Sequence, residues 1–351
     1  MYAETFPIPQ KTPRRRRGKS PVRRQEDSMR IVVLDDVTLN PGDNGWGDFS
    51  GLGELVVYER TPPEQVLERA ADADILVINK VRLSAALINA LPRLRCICVV
   101  ATGYDVVDTA AAAARGIPVC NVRAYGVESV AQQVMALLLE LCRRVGEHDA
   151  SIRRGDWGAC PDFCYWLSPQ VELAGLTMGI AGYGSIGRRV GELAHAFGMK
   201  VIAHSRSRSE PPAYAPFAFV SREELFREAD VISLHCPLFP ETREMVNRGT
   251  LALMKPGSLI INTARGGLVN ENDVAEALRS GRLGGFGADV LSKEPAAPDN
   301  PLLHTPNTVL TPHIAWASLA ARRTITRVTI ANIRAFLAGK PQNVVNGVGE
   351  S

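Results

Sequence analysis

From Met29 onward the chain alternates between short unbroken aliphatic runs and longer stretches whose apolar residues return every three or four positions. The runs at 31–34, 55–58, 75–78, 96–101 and 119–122 have no polar face to turn to water, which marks parallel strands covered on both sides. Between them the spacing predicts helices over 63–70, 84–90 and 108–115. A longer helix over 129–145 follows, with Val130, Val134, Leu137, Leu138 and Leu141 on one face. That stripe suits a domain connector or a subunit contact, and plain core packing equally well. Residues 157–166, crowded with aromatics, two cysteines and Pro161 but without a period, read as an ordered loop or arm.

The alternation then resumes. Strands are expected at 200–204, 231–235, 258–262, 287–290 and 308–310, with helices at 221–228, 248–253 and 270–280 and a last helix at 319–338. Strands separated by helices imply an α/β fold with parallel sheets, here two doubly wound domains in tandem. Economy returns the last helix to the first domain, so the expected division is 29–124 with 313–345, interrupted by 125–312. There is no repeat of solenoid period.

One stretch organises the second domain. Leu176 to Ala181 is an apolar run, Gly182-Tyr183-Gly184-Ser185-Ile186-Gly187 is a glycine-rich turn, and Ile186, Val190, Leu193, Ala194 and Phe197 then recur at helical spacing. Three glycines at this spacing occur in ordinary loops too. A strand before them and an amphipathic helix after them point instead to a dinucleotide site, where Gly182 permits the turn, Gly184 lets a pyrophosphate approach the backbone and Gly187 lets helix and strand pack closely.

Composition changes the picture at one place. The total charge of +3 hides a basic segment, residues 1–28, in which eight basic residues face three acidic ones, an excess of five that leaves the remainder at −2. A slightly acidic folded part is a poor nucleic-acid surface. The segment itself is rich in Pro and Arg, has little to bury and is expected to be disordered: a solvated tail, a stretch upstream of a start at Met29, or a weak polyanion-binding arm. It lacks the apolar core of a secretory signal. No apolar run approaches the roughly 18 residues of a membrane span. The seven cysteines form no C-x-x-C pair and no group with metal-ligand spacing, so they read as reduced thiols of a cytoplasmic protein without a metal.

Three expected strand ends carry polar residues that belong together chemically. Arg265 follows 258–262 and offers a planar fork suited to a carboxylate. Glu294 follows 287–290, and His313 follows 308–310. Singly, such residues are more often a surface ion pair, a solvated carboxylate and a structural histidine. Together at the carboxyl ends of strands, where open α/β sheets bind ligands, they form a candidate active site.

These residues also carry a family resemblance. Ala181 to Gly187, Asn262-Thr-Ala-Arg-Gly-Gly-Leu-Val269, Asp289-Val-Leu-Ser-Lys-Glu-Pro295 and Thr311-Pro-His-Ile-Ala-Trp-Ala317 resemble, in order and spacing, the signatures of the D-isomer-specific 2-hydroxyacid dehydrogenases. Val99 to Asp105, Asp162 to Trp166 and His313 to Trp316 look most like the glycerate dehydrogenase, or hydroxypyruvate reductase, branch. The resemblance implies a Rossmann dinucleotide-binding domain inserted in a flavodoxin-like substrate domain, reduction of a small 2-oxo acid such as hydroxypyruvate or glyoxylate by NAD(P)H, and a homodimer formed through the helix from Ser129 and the arm from Trp157. By position it assigns Arg265 to the substrate carboxylate, His313 to proton donation and Glu294 to the far side of the imidazole. It gives Ala101, Thr102 and Gly103 to substrate binding by backbone N–H groups, with Lys80, Trp166 and Trp316 as further pocket residues, although a snorkelling lysine and packed tryptophans explain these too. The cofactor set comprises the glycine-rich turn, Ser205, Arg206, His235, Pro237, Thr242, Thr263, Ala264, His313 and Asp289, the last expected against the nicotinamide amide.

The chain departs from the common pattern at one point. Where an acidic residue is expected to bind the adenosine ribose hydroxyls, after 200–204, it has Ser205-Arg206-Ser207-Arg208. No carboxylate repels a 2′-phosphate there, so NADPH is expected to be favoured, or both cofactors used; a solvated turn that leaves NADH binding intact is the other reading. Two further classes stay open: a dinucleotide-sensing corepressor or scaffold of the same fold, and a nucleic-acid binder acting through Arg14 to Arg24.

Overall fold

A computed structural model of the chain describes residues 29–47, 49, 51–206 and 210–349; the basic segment 1–28 lies outside them, as do Ser207 and Arg208. The first sheet contains β1 (Arg30–Val33), β2 (Glu54–Val57), β3 (Ile75–Ile78), β4 (Cys96–Val99) and β5 (Val119–Cys120) in the order β2-β1-β3-β4-β5, every neighbouring pair parallel. The order reverses at β1, the flavodoxin-like arrangement. Helices α1 (Val66–Ala70), α2 (Ala85–Asn89) and α3 (Thr109–Ala114) connect the strands.

The period of two in a strand explains why β3 is wholly apolar. Leu76 and Ile78 enter one buried cluster with Ala70, Ile88 and Ala112 of the connecting helices. Ile75 and Val77 point to the other face, into a cluster with Ile325, Ile330 and Ile333 of the final helix, α10 (Leu319–Leu337). All four β3 side chains are fully buried. Each such aliphatic side chain stabilises the fold by roughly 1.5–3 kcal/mol. After α10 the chain returns to the sheet edge, where Asn121 donates its backbone N–H to the Asn343 carbonyl at 3.0 Å.

The second sheet has β6 (Thr177–Ala181), β7 (Lys200–His204), β8 (Phe217–Phe219), β9 (Val231–Leu234), β10 (Ser258–Asn262), β11 (Leu283–Ala288) and β12 (Thr308–Leu310), in the order β12-β11-β10-β9-β6-β7-β8 and again parallel throughout. Its direction reverses at β6, so a crevice opens at the carboxyl ends of β6 and β9. Around it lie α4 (Val127–Arg143), α5 (Val145–Arg153), α6 (Ser185–Ala196), α7 (Arg222–Glu228), α8 (Arg248–Leu253) and α9 (Glu271–Arg279). The architecture is thus the expected pair of parallel α/β domains.

Four details correct the sequence reading. The long helix expected over 129–145 starts earlier and ends at Arg143, because Arg144 takes a left-handed φ of 45° and a second helix, α5, begins at once. The apolar stripe of α4 packs inside its own chain: Val134, Leu137 and Leu138 share a cluster with Val190 and Ala194 of α6, so that face is not a subunit contact. The strand expected at 287–290 runs instead from Leu283 to Ala288; three glycines in Leu283-Gly-Gly-Phe-Gly-Ala thin its apolar pattern. Edge strand β8 was not expected. Among the described residues no helix is long and apolar enough to cross a membrane.

Candidate active site

The glycine-rich turn links β6 to α6. Gly182 has φ +101°, and a Cβ there would lie 2.6 Å from the backbone nitrogen of Cys236, at the end of β9. A Cβ on Gly187 would lie 2.2 Å from the Gly182 carbonyl oxygen, so both positions require glycine for packing. Gly184 differs: nothing stands within 4 Å of an added Cβ, and the surface above it is open. Ser185 there begins a twelve-residue helix whose first N–H groups have no intrahelical partner. An open, side-chain-free surface at a helix start fits a pyrophosphate. The buried hydroxyl of Thr263, at the end of β10, has no hydrogen-bond partner among the described residues and awaits a polar group in the same crevice. The residues present therefore fit a dinucleotide.

Not every residue of the expected cofactor set turns toward that surface. The ring of Tyr183 is buried, its hydroxyl 3.1 Å from that of Tyr214 and its face against Phe217, and Ile186 packs on the same core. Only their backbone is left for a cofactor. Beyond β7, half-buried Ser205 precedes Arg206, whose guanidinium lies over the Phe239 ring at 5.1 Å. Phe239 belongs to the loop after β9, which Thr242 braces by donating to the Pro237 carbonyl and accepting from the Phe239 N–H, both at 2.7 Å. Arg206, Pro237 and Thr242 are thus brought to one side of the crevice. His235, at the start of that loop, has Nε2 2.7 Å from the Ser233 hydroxyl, and burial pushes its imidazole down to about 3.

Arg265 is aimed by a small clamp that the sequence reading missed. The Asn262 side chain, fully buried at the end of β10, donates to the Arg265 carbonyl at 2.9 Å and accepts from the Ala264 N–H at 3.1 Å. The guanidinium donates to the Ala264 carbonyl and reaches the loop after β4, where a Cβ on Gly103 would be 3.3 Å from Nη2. The two sheets meet at this point. That loop is itself held: the Thr102 hydroxyl donates to the Val122 carbonyl at 3.0 Å, and Asn121 donates to the Thr102 carbonyl at 2.8 Å. Ala101, Thr102 and Gly103 therefore stand beside Arg265. Tyr125 was also missed. Burial pushes its phenol up to about 12, against the pull of the Arg265 charge nearby.

Lys80 follows β3 on the same edge of the first sheet. The backbone N–H groups of Asn79, Lys80 and Val81 all donate to the Asp35 carboxylate, at 2.8, 2.5 and 3.0 Å. Its ammonium makes no hydrogen bond or ion pair among the described residues. Trp316 sends its indole N–H to the His313 carbonyl at 2.9 Å and packs against the first sheet's core, so it braces the histidine loop. Trp166 stands 69% exposed on the 157–166 segment.

His313 sits in a left-handed turn, φ 55°, after β12. Its Nδ1 is 2.6 Å from Glu294 Oε2, and Glu294 Oε1 accepts from the Leu291 N–H at 3.1 Å. The other ring nitrogen has no protein partner among the described residues. Asp289 is held within the fold. It is 1% exposed, and its carboxylate accepts from the Thr311 hydroxyl and Ile314 N–H on one oxygen and the Ala315 N–H on the other. Its carbonyl takes the His313 N–H at 2.8 Å. Asp289 thus clamps the histidine loop. From behind, α4 adds a bond from the Ser129 hydroxyl to the Ala315 carbonyl at 2.5 Å.

The arrangement places a guanidinium fork, an imidazole held by a carboxylate and an open glycine-rich turn at the carboxyl ends of strands. The model of the D-isomer specific 2-hydroxyacid dehydrogenase NAD binding domain matches residues 135–315. The chain is 45% identical to the hydroxypyruvate reductase of Blautia hydrogenotrophica, over 91% of this chain and all of that one. It is 41% identical to the glycerate dehydrogenase of Methylorubrum extorquens, over 91% of this chain and 99% of the other. Among solved structures it resembles the NADPH-dependent glyoxylate/hydroxypyruvate reductase of Sinorhizobium meliloti in complex with NADP and malonate, with a TM-score of 0.76 at 29% identity, covering 91% of this chain and 97% of that one.

Proposed function

The chain belongs to the D-isomer specific 2-hydroxyacid dehydrogenase family, and within it we propose that this enzyme reduces hydroxypyruvate, and glyoxylate besides, to the D-2-hydroxy acid. The observation that carries the reading is the 2.6 Å contact of His313 Nδ1 with Glu294, which leaves the second imidazole nitrogen without a protein partner among the described residues. A bound reduced nicotinamide would supply the hydride, held by Gly184, the start of α6 and Thr263. Arg265 grips the substrate carboxylate through its fork, assisted by backbone N–H groups of Ala101 to Gly103. This anchors the 2-oxo group and polarises it. As the carbonyl carbon gains the hydride, its oxygen gains charge, and His313 gives it a proton from Nε2. Glu294 accepts from Nδ1 and fixes the orientation of the ring.

Cofactor choice follows from the end of β7. Arg206 with no acidic residue beside it accepts a 2′-phosphate, so NADPH is preferred or both cofactors serve; the Sinorhizobium enzyme is NADPH-dependent by name. A homodimer joined through residues 157–166 completes the reading. Phe163, Trp166 and Trp157 are 88, 69 and 50% exposed there, an apolar group that a second subunit would cover.

The test is a set of initial rates with hydroxypyruvate, glyoxylate and pyruvate, each with NADH and NADPH, on wild type and Arg206→Ala. We expect hydroxypyruvate to give the highest kcat/KM, and the substitution to lower kcat/KM with NADPH about tenfold while sparing NADH. Failure to oxidise either cofactor with any 2-oxo acid overturns the activity. Strong NADH preference untouched by the substitution overturns the cofactor reading alone.

A further inference from the structure

Glu294 stands on a loop that the core scarcely touches. Ser292, Lys293, Glu294, Pro295 and Ala296 are all exposed, whereas Leu291 just before them packs on the core of the second domain. Few buried contacts hold such a segment. Yet the two bonds of Glu294, Oε1 from the Leu291 N–H at 3.1 Å and Oε2 to His313 Nδ1 at 2.6 Å, require the loop backbone in one place. A second carboxylate, that of Glu271, supplies the hold.

Glu271 is the first residue of α9. Its Oε1 accepts the Ser292 N–H at 2.7 Å, and its Oε2 accepts the Ser292 hydroxyl at 2.7 Å and the Asn300 side-chain amide at 2.9 Å. Ser292 opens the loop and Asn300 closes it. Asn300 is itself fixed, being 6% exposed and accepting from the Leu302 N–H at 3.0 Å. One carboxylate thus ties both ends of the segment 292–300 together. An acid in the first turn of a helix often serves the helix dipole alone, an interaction that needs no particular direction. Here each oxygen is aimed at a donor of the loop. Asp273 and Glu276 of the same helix pair with Arg248, while Glu271 forms no salt bridge with any described residue.

A further contact joins the loop to the segment of Arg265. A Cβ on Gly266 would overlap the Leu291 carbonyl and the Ser292 nitrogen, so the backbone beside Arg265 touches the loop at the point that Glu271 holds. The stretch 265–271 carries the guanidinium fork at one end and the clasp at the other.

We propose that Glu271 is a positioning residue for the His313–Glu294 pair: by clasping Ser292 and Asn300 it fixes the Leu291 N–H that holds Glu294, and so the direction of the imidazole. The inference rests on the reading of His313 as proton donor. It acts at one remove, through the loop backbone. A misplacement of about 1 Å at a reacting group costs up to ~10²-fold in rate, so loss of the clasp is expected in kcat.

The test is a double-variant cycle on the full-length protein, read as initial rates with hydroxypyruvate and NADPH at a temperature where circular dichroism shows every variant folded. Glu271→Ala is expected to lower kcat about tenfold or more and to leave KM for NADPH within about twofold. In a Glu294→Ala background the same substitution should lower kcat by less than about twofold, because nothing remains for the clasp to position. Ser292→Ala removes one donor of three and serves where Glu271→Ala does not fold; it should lower kcat about threefold, again only when Glu294 is present. An equal loss in both backgrounds assigns Glu271 to stability alone and overturns the proposal, as does a Glu271→Ala enzyme with wild-type kcat. An active wild type that loses nothing in Glu294→Ala also overturns it, while a wild type that reduces no 2-oxo acid overturns the reading of the site and the proposal together.

Discussion

In the proposed reaction His313 needs a direction in which to give its proton, and Glu294 fixes that direction through one 2.6 Å contact. His313→Ala is expected to lower kcat by a factor of about 10²–10⁴ while the dissociation constant for reduced cofactor, read by fluorescence, changes little. Glu294→Gln keeps a hydrogen-bond acceptor but removes the charge. The ring then keeps its orientation, so kcat should fall by less than in His313→Ala, as initial rates would reveal. The fold holds the imidazole of His235 neutral. A folded-state value near 3 against about 6.5 in the unfolded chain means that the unfolded state takes up a proton the native state refuses. Its contribution to stability is whole above pH ~6.5 and drains away as the pH falls toward 3. The melting temperature of His235→Asn should therefore fall less between pH 7 and 5 than that of wild type. At this scale the sequence was informative for Arg265, Glu294 and His313, because a charged side chain after an apolar run is conspicuous. It was silent on Asn262 and Tyr125, whose importance lies in what they stand beside.

Elements decide whether those residues are held. The turn 311–315 forces His313 into a left-handed conformation and is retained by three bonds to one buried carboxylate. Asp289→Ala leaves a hydroxyl and two N–H groups without acceptors. At roughly 1–3 kcal/mol for an unsatisfied buried group, a loss near 3 kcal/mol in urea unfolding is expected, together with a fall in kcat. A variant as stable as wild type would mean that the loop does not depend on this clamp. Nothing in the sequence signalled that the Asp289 carboxylate holds this loop; the packing of β11 against β12 revealed it. The pattern of apolar residues located most strands and helices to within a few residues. It failed where glycines thinned β11, at edge strand β8, and where Arg144 broke one helix into two.

At the scale of the whole molecule, the site exists because two sheets present their carboxyl ends to each other, with Gly103 of one against Arg265 of the other. The exposed aromatics of 157–166 are the complementary outward feature. Light scattering at micromolar concentration should give about twice the 38.0 kDa of one chain. A monomer would show that this segment is not a subunit contact.

What the sequence determined by itself is whatever depends on neighbours along the chain: strand and helix periods, the glycine turn whose backbone no other residue could follow, and the α/β class that their alternation implies. The family signatures added the roles proposed for three side chains. Only the tertiary structure decided which way side chains turn and which distant segments meet. It sent Tyr183 into the core, folded α4's apolar face inward, used the Asp289 carboxylate to hold a loop, and brought Gly103 of one sheet against Arg265 of the other. The physical reason is that a pattern of burial specifies that a face is covered but not by what. Charges and hydrogen bonds find their partners only when the elements have packed.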